Sequence, residues 1–312
     1  MNRRSFIRGT AISGLTMTSI PGTFAASASF SDAKVSNQSK FNLKYAPTFG
    51  DFTHHAGEDL IDQIRFMHDQ GFRAMFDNWL MRRREPAMQE KIGNELDRLG
   101  MDLGPFIIYG EFGNPTMVTR DLEVMDMLKK AMLEGLEVQK RTNAQTALIV
   151  PGAYDQRLHW DYQTSNFIDS MRMCSDIVGS SGLILVIEPL NNLINHPGLF
   201  LTTIPQAFMI CKAVDHPNCR LINDLYHQQI TEGNLIPNID MAWDYIASFH
   251  VGDHPGRNEP GTGEINYRNI FRHIYNKGYD GVIGMEHGRS IPGIEGEKAL
   301  IEAYRKVDSF ET

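Results

Sequence analysis

The sequence predicts a single (β/α)₈ barrel of the α/β class, on three observations. From residue 41 onward, eight short apolar runs alternate with longer amphipathic ones. The short runs are almost continuously apolar, as befits parallel strands covered by crossover helices. No linker interrupts the alternation after residue 40, so one domain is expected over 41–312, a usual size for such a barrel.

Taken in order, the strands are expected at NLKYAP, RAMFDN, LGPFIIY and TALIVPG, then at LILVIEP, RLINDL, IASFHV and GVIGMEH. Between them, EDLIDQIRFMHDQG and DLEVMDMLKKAMLEGLEVQKR repeat apolar residues at three- and four-residue steps. That spacing gives each helix one buried face. Gly71, Gly100 and Gly278 each follow a helical pattern, where a left-handed residue ends a helix. Phe72, Met101 and Tyr279 then begin the approach to the next strand. A doubly wound open sheet is the structural alternative. The phosphate loops that mark such sheets are missing, because GTGE is neither a Walker loop nor a GxGxxG placed after a strand.

The chain has 312 residues, 42% hydrophobic and 22% charged, with net charge −8. Arg3, Arg4 and Arg8 are the only charges in residues 1–28, so the remainder carries −11. Such a body repels phosphate backbones and anionic lipid, which argues against nucleic-acid and membrane-surface partners. Cys174, Cys211 and Cys219 form no CxxC pair and read as buried thiols. At the N-terminus, NRRSFIRG precedes a weakly apolar stretch stopped by Pro21, with Ala26-Ser27-Ala28 as a small-residue cleavage site. The stretch is too short and polar to span a membrane. It resembles a twin-arginine export signal over 1–28, which implies a periplasmic or extracellular destination. Residues 29–40 read as a polar tether.

Chemistry in a barrel of this kind sits at the C-terminal ends of the strands. The last four strands deliver Glu188, Asp224, His250 and Glu286, at separations of 36, 26 and 36 residues, each about one βα unit. A lone strand-end carboxylate is ordinarily a helix cap or an ion-pair member, and a lone histidine a satisfied core residue. Four at successive strand ends converge on one bowl. Three carboxylates and an imidazole suit one divalent cation, Mn²⁺ first, with Mg²⁺, Co²⁺ or Zn²⁺ as alternatives. Without a cation, the three buried carboxylates would repel one another.

The stretches IEPLN, NDLYHQQITEGNL, HVGDHPGRNEPGTGEINYRNIF and GYDGVIGMEH cover Leu183 to His287 almost continuously. They resemble the hydroxypyruvate isomerase family, within the xylose isomerase-like TIM barrels that also include ketose 3-epimerases. The first half joins the resemblance only through its βα rhythm. The resemblance implies that Glu188, Asp224, His250 and Glu286 hold one divalent metal ion. It also implies that His227 contacts the substrate or a ligand carboxylate, and that Arg257 reaches toward the substrate's polar end. Read from the residues alone, Arg257 could instead pair with Glu259 or Glu264 and shape its loop. The implied reaction converts hydroxypyruvate to tartronate semialdehyde through an enediolate, with Glu188 and Glu286 moving the proton.

Two departures bear on the substrate. Hydroxypyruvate isomerases place Gln where this chain has His250, whereas sugar epimerases place His. His287, Gly288 and Arg289 stand where Tyr and a nearby Lys tend to follow the last Glu. A ketose 3-epimerase and an exported metal-dependent sugar lyase or isomerase therefore remain open. A nuclease of the endonuclease IV type would need more early strand-end ligands than Asp77. On the rim, His54 and His55 read as solvated loop residues, while Trp79 and Tyr109 could line a substrate wall or the core. Barrels of this family often pair, so a homo-oligomer is a further expectation.

Overall fold

The computed structural model describes residues 39–310. The export signal expected over 1–28, and residues 29–38 of the tether expected over 29–40, lie outside the described residues. Among the described residues there are nine parallel strand segments: β1 (Lys44–Ala46), β2 (Ala74–Met75), β3 (Asp102–Leu103), β4 (Phe106–Glu111), β5 (Thr146–Pro151), β6 (Ile184–Ile187), β7 (Cys219–Asp224), β8 (Ile246–Val251) and β9 (Val282–Met285). Seven of them form one curled sheet in the order β1-β9-β8-β7-β6-β5-β4. The ring closes through β2. Phe76 donates its backbone N–H to the Pro47 carbonyl at 3.0 Å, and Ile107 donates to the Asn78 carbonyl at 3.0 Å. The result is the barrel expected from the sequence.

One strand differs from expectation. The run LGPFIIY is not continuous, because β3 ends at Leu103 and β4 begins at Phe106. Pro105 has no N–H for a ladder bond. A Cβ on Gly104 would lie 2.8 Å from the Phe76 Cβ, so the chain passes β2 more closely than any other residue allows. β3 pairs with β2, while β4 pairs with β5 and takes the third barrel position.

Helices cover the outside and end where the sequence signals them. Asp59 caps the helix Leu60–Asp69 by accepting from the N–H groups of Ile61 and Asp62. Asp121 caps Leu122–Thr142 in the same way through Glu123. Gly71, Gly100 and Gly278 all have positive φ, at 94°, 63° and 78°. The main core lies between strands and helices and includes Ile149, Ile187, Leu221, Phe249 and Ile283. A second cluster of Ile107, Leu148, Val150, Val186 and Ile222 fills the barrel interior.

Side chains alternate across a strand, and this sets where the polar groups go. Val186 and Ile222 face the interior, so Glu188 and Asp224, two residues further on, face it as well. His250 lies opposite both Asp224 and Gly284 in register, and Glu286 follows Gly284 by two. The three cysteines are buried free thiols, as expected. Cys211 and Cys219 approach to 3.9 Å between sulfurs. Among the described residues no helix is long and apolar enough to cross a membrane.

Candidate active site

Glu188, Asp224, His250 and Glu286 come from the ends of four neighbouring strands. Each offers one ligand atom, and these atoms lie within 4.8 Å of one another. Glu188, Asp224 and His250 are buried, and Glu286 opens onto a cavity. His250 Nδ1 stands 2.7 Å from Glu188 Oε1 and 3.6 Å from Glu286 Oε2. Burial alone would lower the His250 pKa, but the charges of Glu188 and Glu286 outweigh it and hold the imidazole up, to about 9. Burial pushes the Glu188 carboxyl up to about 7, against the pull of His250. Burial likewise raises Asp224.

Such a cluster calls for positive charge. Asp224 Oδ1 accepts the His227 N–H at 2.9 Å, yet Oδ2 is buried without a hydrogen-bond partner. An unsatisfied buried carboxylate oxygen is costly. Mixed oxygen and imidazole donors at this spacing, with an orphaned carboxylate oxygen among them, fit a divalent cation.

Glu286 is held from two sides. Arg257 Nη2 donates to Oε2 at 2.7 Å, and Asn78 Nδ2 donates to Oε1 at 2.5 Å. Burial would raise the Glu286 pKa, but His250 and Arg257 outweigh it and lower it. Glu188 differs: among the described residues no hydrogen bond to its Oε2 is found beyond the His250 contact to Oε1. Asn78 escaped the sequence reading. Its only signal was a polar residue ending RAMFDN, and its partner is 208 positions away.

His227 has a fixed tautomer. Asn191 Oδ1 accepts from the backbone N–H groups of Ile194 and Asn195, so the Asn191 amide nitrogen faces the imidazole. His227 Nδ1 accepts from that nitrogen at 2.6 Å and from the Asn191 backbone N–H at 3.2 Å. The ring proton therefore sits on Nε2, 3.8 Å from Asp224 Oδ2. Burial, with Arg257 nearby, keeps the ring neutral.

The loop Asp253–Ile265 delivers Arg257. Asp253 is buried and accepts from the N–H groups of Gly261 at 2.7 Å and Ile265 at 3.1 Å, drawing the loop back on itself. Arg257 takes a left-handed backbone, φ 52°, and its guanidinium lies 4.7 Å from the Tyr226 ring centroid. Its ion-pair partner is Glu286 rather than Glu259 or Glu264. Glu259 instead accepts from Ser290 at 2.9 Å, and Glu264 accepts from Gln229 at 3.1 Å.

A cavity of about 470 Å³ opens over Glu286, walled in part by Phe49, Asn78, Trp79, Arg83 and Arg257. Trp79 thus reaches the site wall, while Tyr109 packs against the main core. Asp77 is tied to Arg84 at 2.8 Å. His54 and His55 are more than solvated loop residues. They occupy a short helix, Thr53–Ala56, and their rings contact the buried Glu297 at 2.8 Å and 2.5 Å.

Comparison with known proteins agrees with this architecture. A Xenopus laevis protein provisionally named hydroxypyruvate isomerase is 37% identical over 132 residues, 41% of this chain and 48% of its own length. The hydroxypyruvate isomerase of Escherichia coli K12 is 30% identical over 179 residues, 57% of this chain and 67% of its own. The chain thus spans about half to two thirds of these relatives. Among solved structures, a Brucella melitensis protein named AP endonuclease, family 2, superposes with TM-score 0.69 at 22% identity, over 84% of this chain and 99% of its own. At that identity the likeness is one of fold. The xylose isomerase-like TIM barrel family model matches residues 64–307, and the chain belongs to that family.

Proposed function

We propose that the protein is a divalent-metal-dependent isomerase of a small hydroxy-carbonyl compound, of the hydroxypyruvate isomerase type. Its reaction would carry hydroxypyruvate to tartronate semialdehyde through an enediolate. The observation that carries this reading is the pairing of two glutamates across one acid and histidine cluster at the foot of a cavity. Glu188, Asp224, His250 and Glu286 would hold the ion. Bound there, a divalent cation supplies carbonyl polarisation and charge stabilisation for an enediolate.

The chain's own groups divide the remaining work. Arg257 and Asn78 engage both oxygens of Glu286, which suits it to stay an anion of fixed orientation. Glu188 keeps an oxygen with no donor among the described residues, which leaves it free to turn toward the substrate and suits it to take the α-proton. His227 presents a neutral Nε2–H, the donor needed by a substrate oxygen that gains charge. Return of the proton to the neighbouring carbon gives isomerisation, and return to the opposite face of the same carbon gives epimerisation.

The ketose 3-epimerase reading keeps one observation in its favour, His250 in the cluster itself. Metal analysis of the purified protein, then solvent deuterium exchange on hydroxypyruvate and on a ketose panel, tests both readings. Exchange with metal present is expected. No bound metal and no exchange into any substrate would overturn the isomerase class. Glu188→Gln and Glu286→Gln are each expected to lower turnover by at least about 10³-fold while the circular-dichroism spectrum stays native, and wild-type rates in either would remove its assigned role.

A further inference from the structure

Three arginines line the cavity over Glu286: Arg83, Arg84 and Arg257. Two of them are committed. Arg84 Nε donates to Asp77 Oδ2 at 2.8 Å, and that carboxylate also accepts the Trp79 N–H at 3.0 Å. Arg257 donates to the Glu286 side chain at 2.7 Å and to the Glu286 carbonyl at 3.2 Å. The same two acids, Asp77 and Glu286, are the ones that line the cavity, so its negative charges are already matched.

Arg83 is different. It ends the short helix Leu80–Arg83, and no carboxylate or carbonyl partner to its guanidinium is found among the described residues. It is held by an aromatic face, with its guanidinium carbon 4.6 Å from the Trp79 ring centroid. Stacking fixes an arginine without consuming its N–H donors, since those lie in the plane of the fork. The cavity wall therefore holds one positioned cation with unused donors, in a protein whose net charge is −8.

We propose that Arg83 is a specificity-determining residue, binding the carboxylate of an acidic substrate by a two-point contact beside Trp79. The inference rests on the isomerase reading above and deepens it. The hydroxy-carbonyl end of the substrate lies at the Glu188 and Glu286 cluster, and its acid end lies toward Trp79. The substrate class is then a short-chain hydroxy-oxo acid rather than a neutral ketose. Arg257, already engaged by Glu286, shapes the site at the reacting end.

The test uses the metal-loaded full chain, wild type and the Arg83→Ala and Arg83→Lys variants. D-glycerate serves as a non-enolisable acid probe and glycerol as its neutral counterpart, with binding read by calorimetry. Glycerate affinity is expected to fall at least tenfold in Arg83→Ala and to recover in part in Arg83→Lys, with glycerol unaffected. In turnover, KM for hydroxypyruvate is expected to rise by the same factor in Arg83→Ala, with kcat changed less. Arg83 is exposed, so folding is not at stake, and the melting temperature checks it. Glycerate binding that is absent in wild type, or equal in wild type and Arg83→Ala, overturns the proposal. A wild type that exchanges no substrate proton, while glycerate binding still depends on Arg83, overturns the isomerase reading and leaves the anion site standing.

Discussion

At the scale of single residues, the two glutamates are chemically alike and differently held. Asn78 supplies the donor that makes the difference on one side, reaching across the barrel to Glu286 Oε1. Asn78→Ala is expected to lower kcat about tenfold, with KM changed less, because a carboxylate released from one of two anchors samples unproductive orientations. Asn78→Asp should cost more, since it sets two negative charges against each other in a part-buried place. Steady-state kinetics and a thermal melt on both variants check this; equal kcat in all three proteins would remove Asn78 from the site. The four cluster residues were legible in the sequence because a period of two along a strand needs no partner to be known. Asn78, the His227 tautomer and the Arg257 partner were not. Each depends on a contact from another element, and nothing near Asn78 in the sequence points to position 286.

At the scale of elements, the rim is tied together by loops from opposite ends of the chain. The loop after β1 and the loop after β9 meet at Arg289, which donates to the Asp51 carbonyl at 2.6 Å and pairs with Glu297 at 3.1 Å. Burial pushes the Asp51 carboxyl up to about 7, against the pull of the Thr48 N–H and of Arg289. A raised carboxyl favours its neutral form in the folded protein. Its contribution to stability is full below the ordinary value of 3.8 and is lost as pH rises through about 7. Asp51→Asn keeps an oxygen to accept from Thr48 and removes the titration. The melting temperature of the variant minus that of wild type should therefore climb from about pH 4 to about pH 7 and level off above. A flat difference would mean that Asp51 is charged without cost. The sequence located eight strands and their helices through hydrophobic period and glycine stops. It missed the break between β3 and β4, because LGPFIIY has the composition of one strand and only the proximity of Phe76 shows why Gly104 interrupts it.

For the whole molecule, a cluster of buried acids under a mostly apolar barrel couples folding to its counter-charge. Metal stripped by chelation should lower the melting temperature. At free metal a hundredfold above Kd the ion contributes about 2.7 kcal/mol, roughly 4–5 °C for a chain of this size. Differential scanning calorimetry with and without Mn²⁺ measures it, and identical melts would show that His250 alone supplies the charge the acids need. The fold class was readable at this scale from the count of βα units. The wall of the cavity was not, because Trp79, Arg83 and Arg257 come from one short helix with its cap and from a loop, whose course is set by close contacts rather than by periodicity.

The seam between the first and last elements has a consequence in time. Asp308 accepts the Asn42 backbone N–H at 2.8 Å and the Tyr45 hydroxyl at 3.0 Å, and its carbonyl accepts the Asn42 amide at 3.0 Å. The start of β1 is thus completed by a residue 266 positions further along the chain. A ribosome still holding residue 308 in its exit tunnel holds back the clasp that shuts the barrel. Synthesis can build the βα units one after another, but closure waits for residue 308 to leave the tunnel, and nascent chains stalled before that point should remain protease-sensitive at the β1 seam.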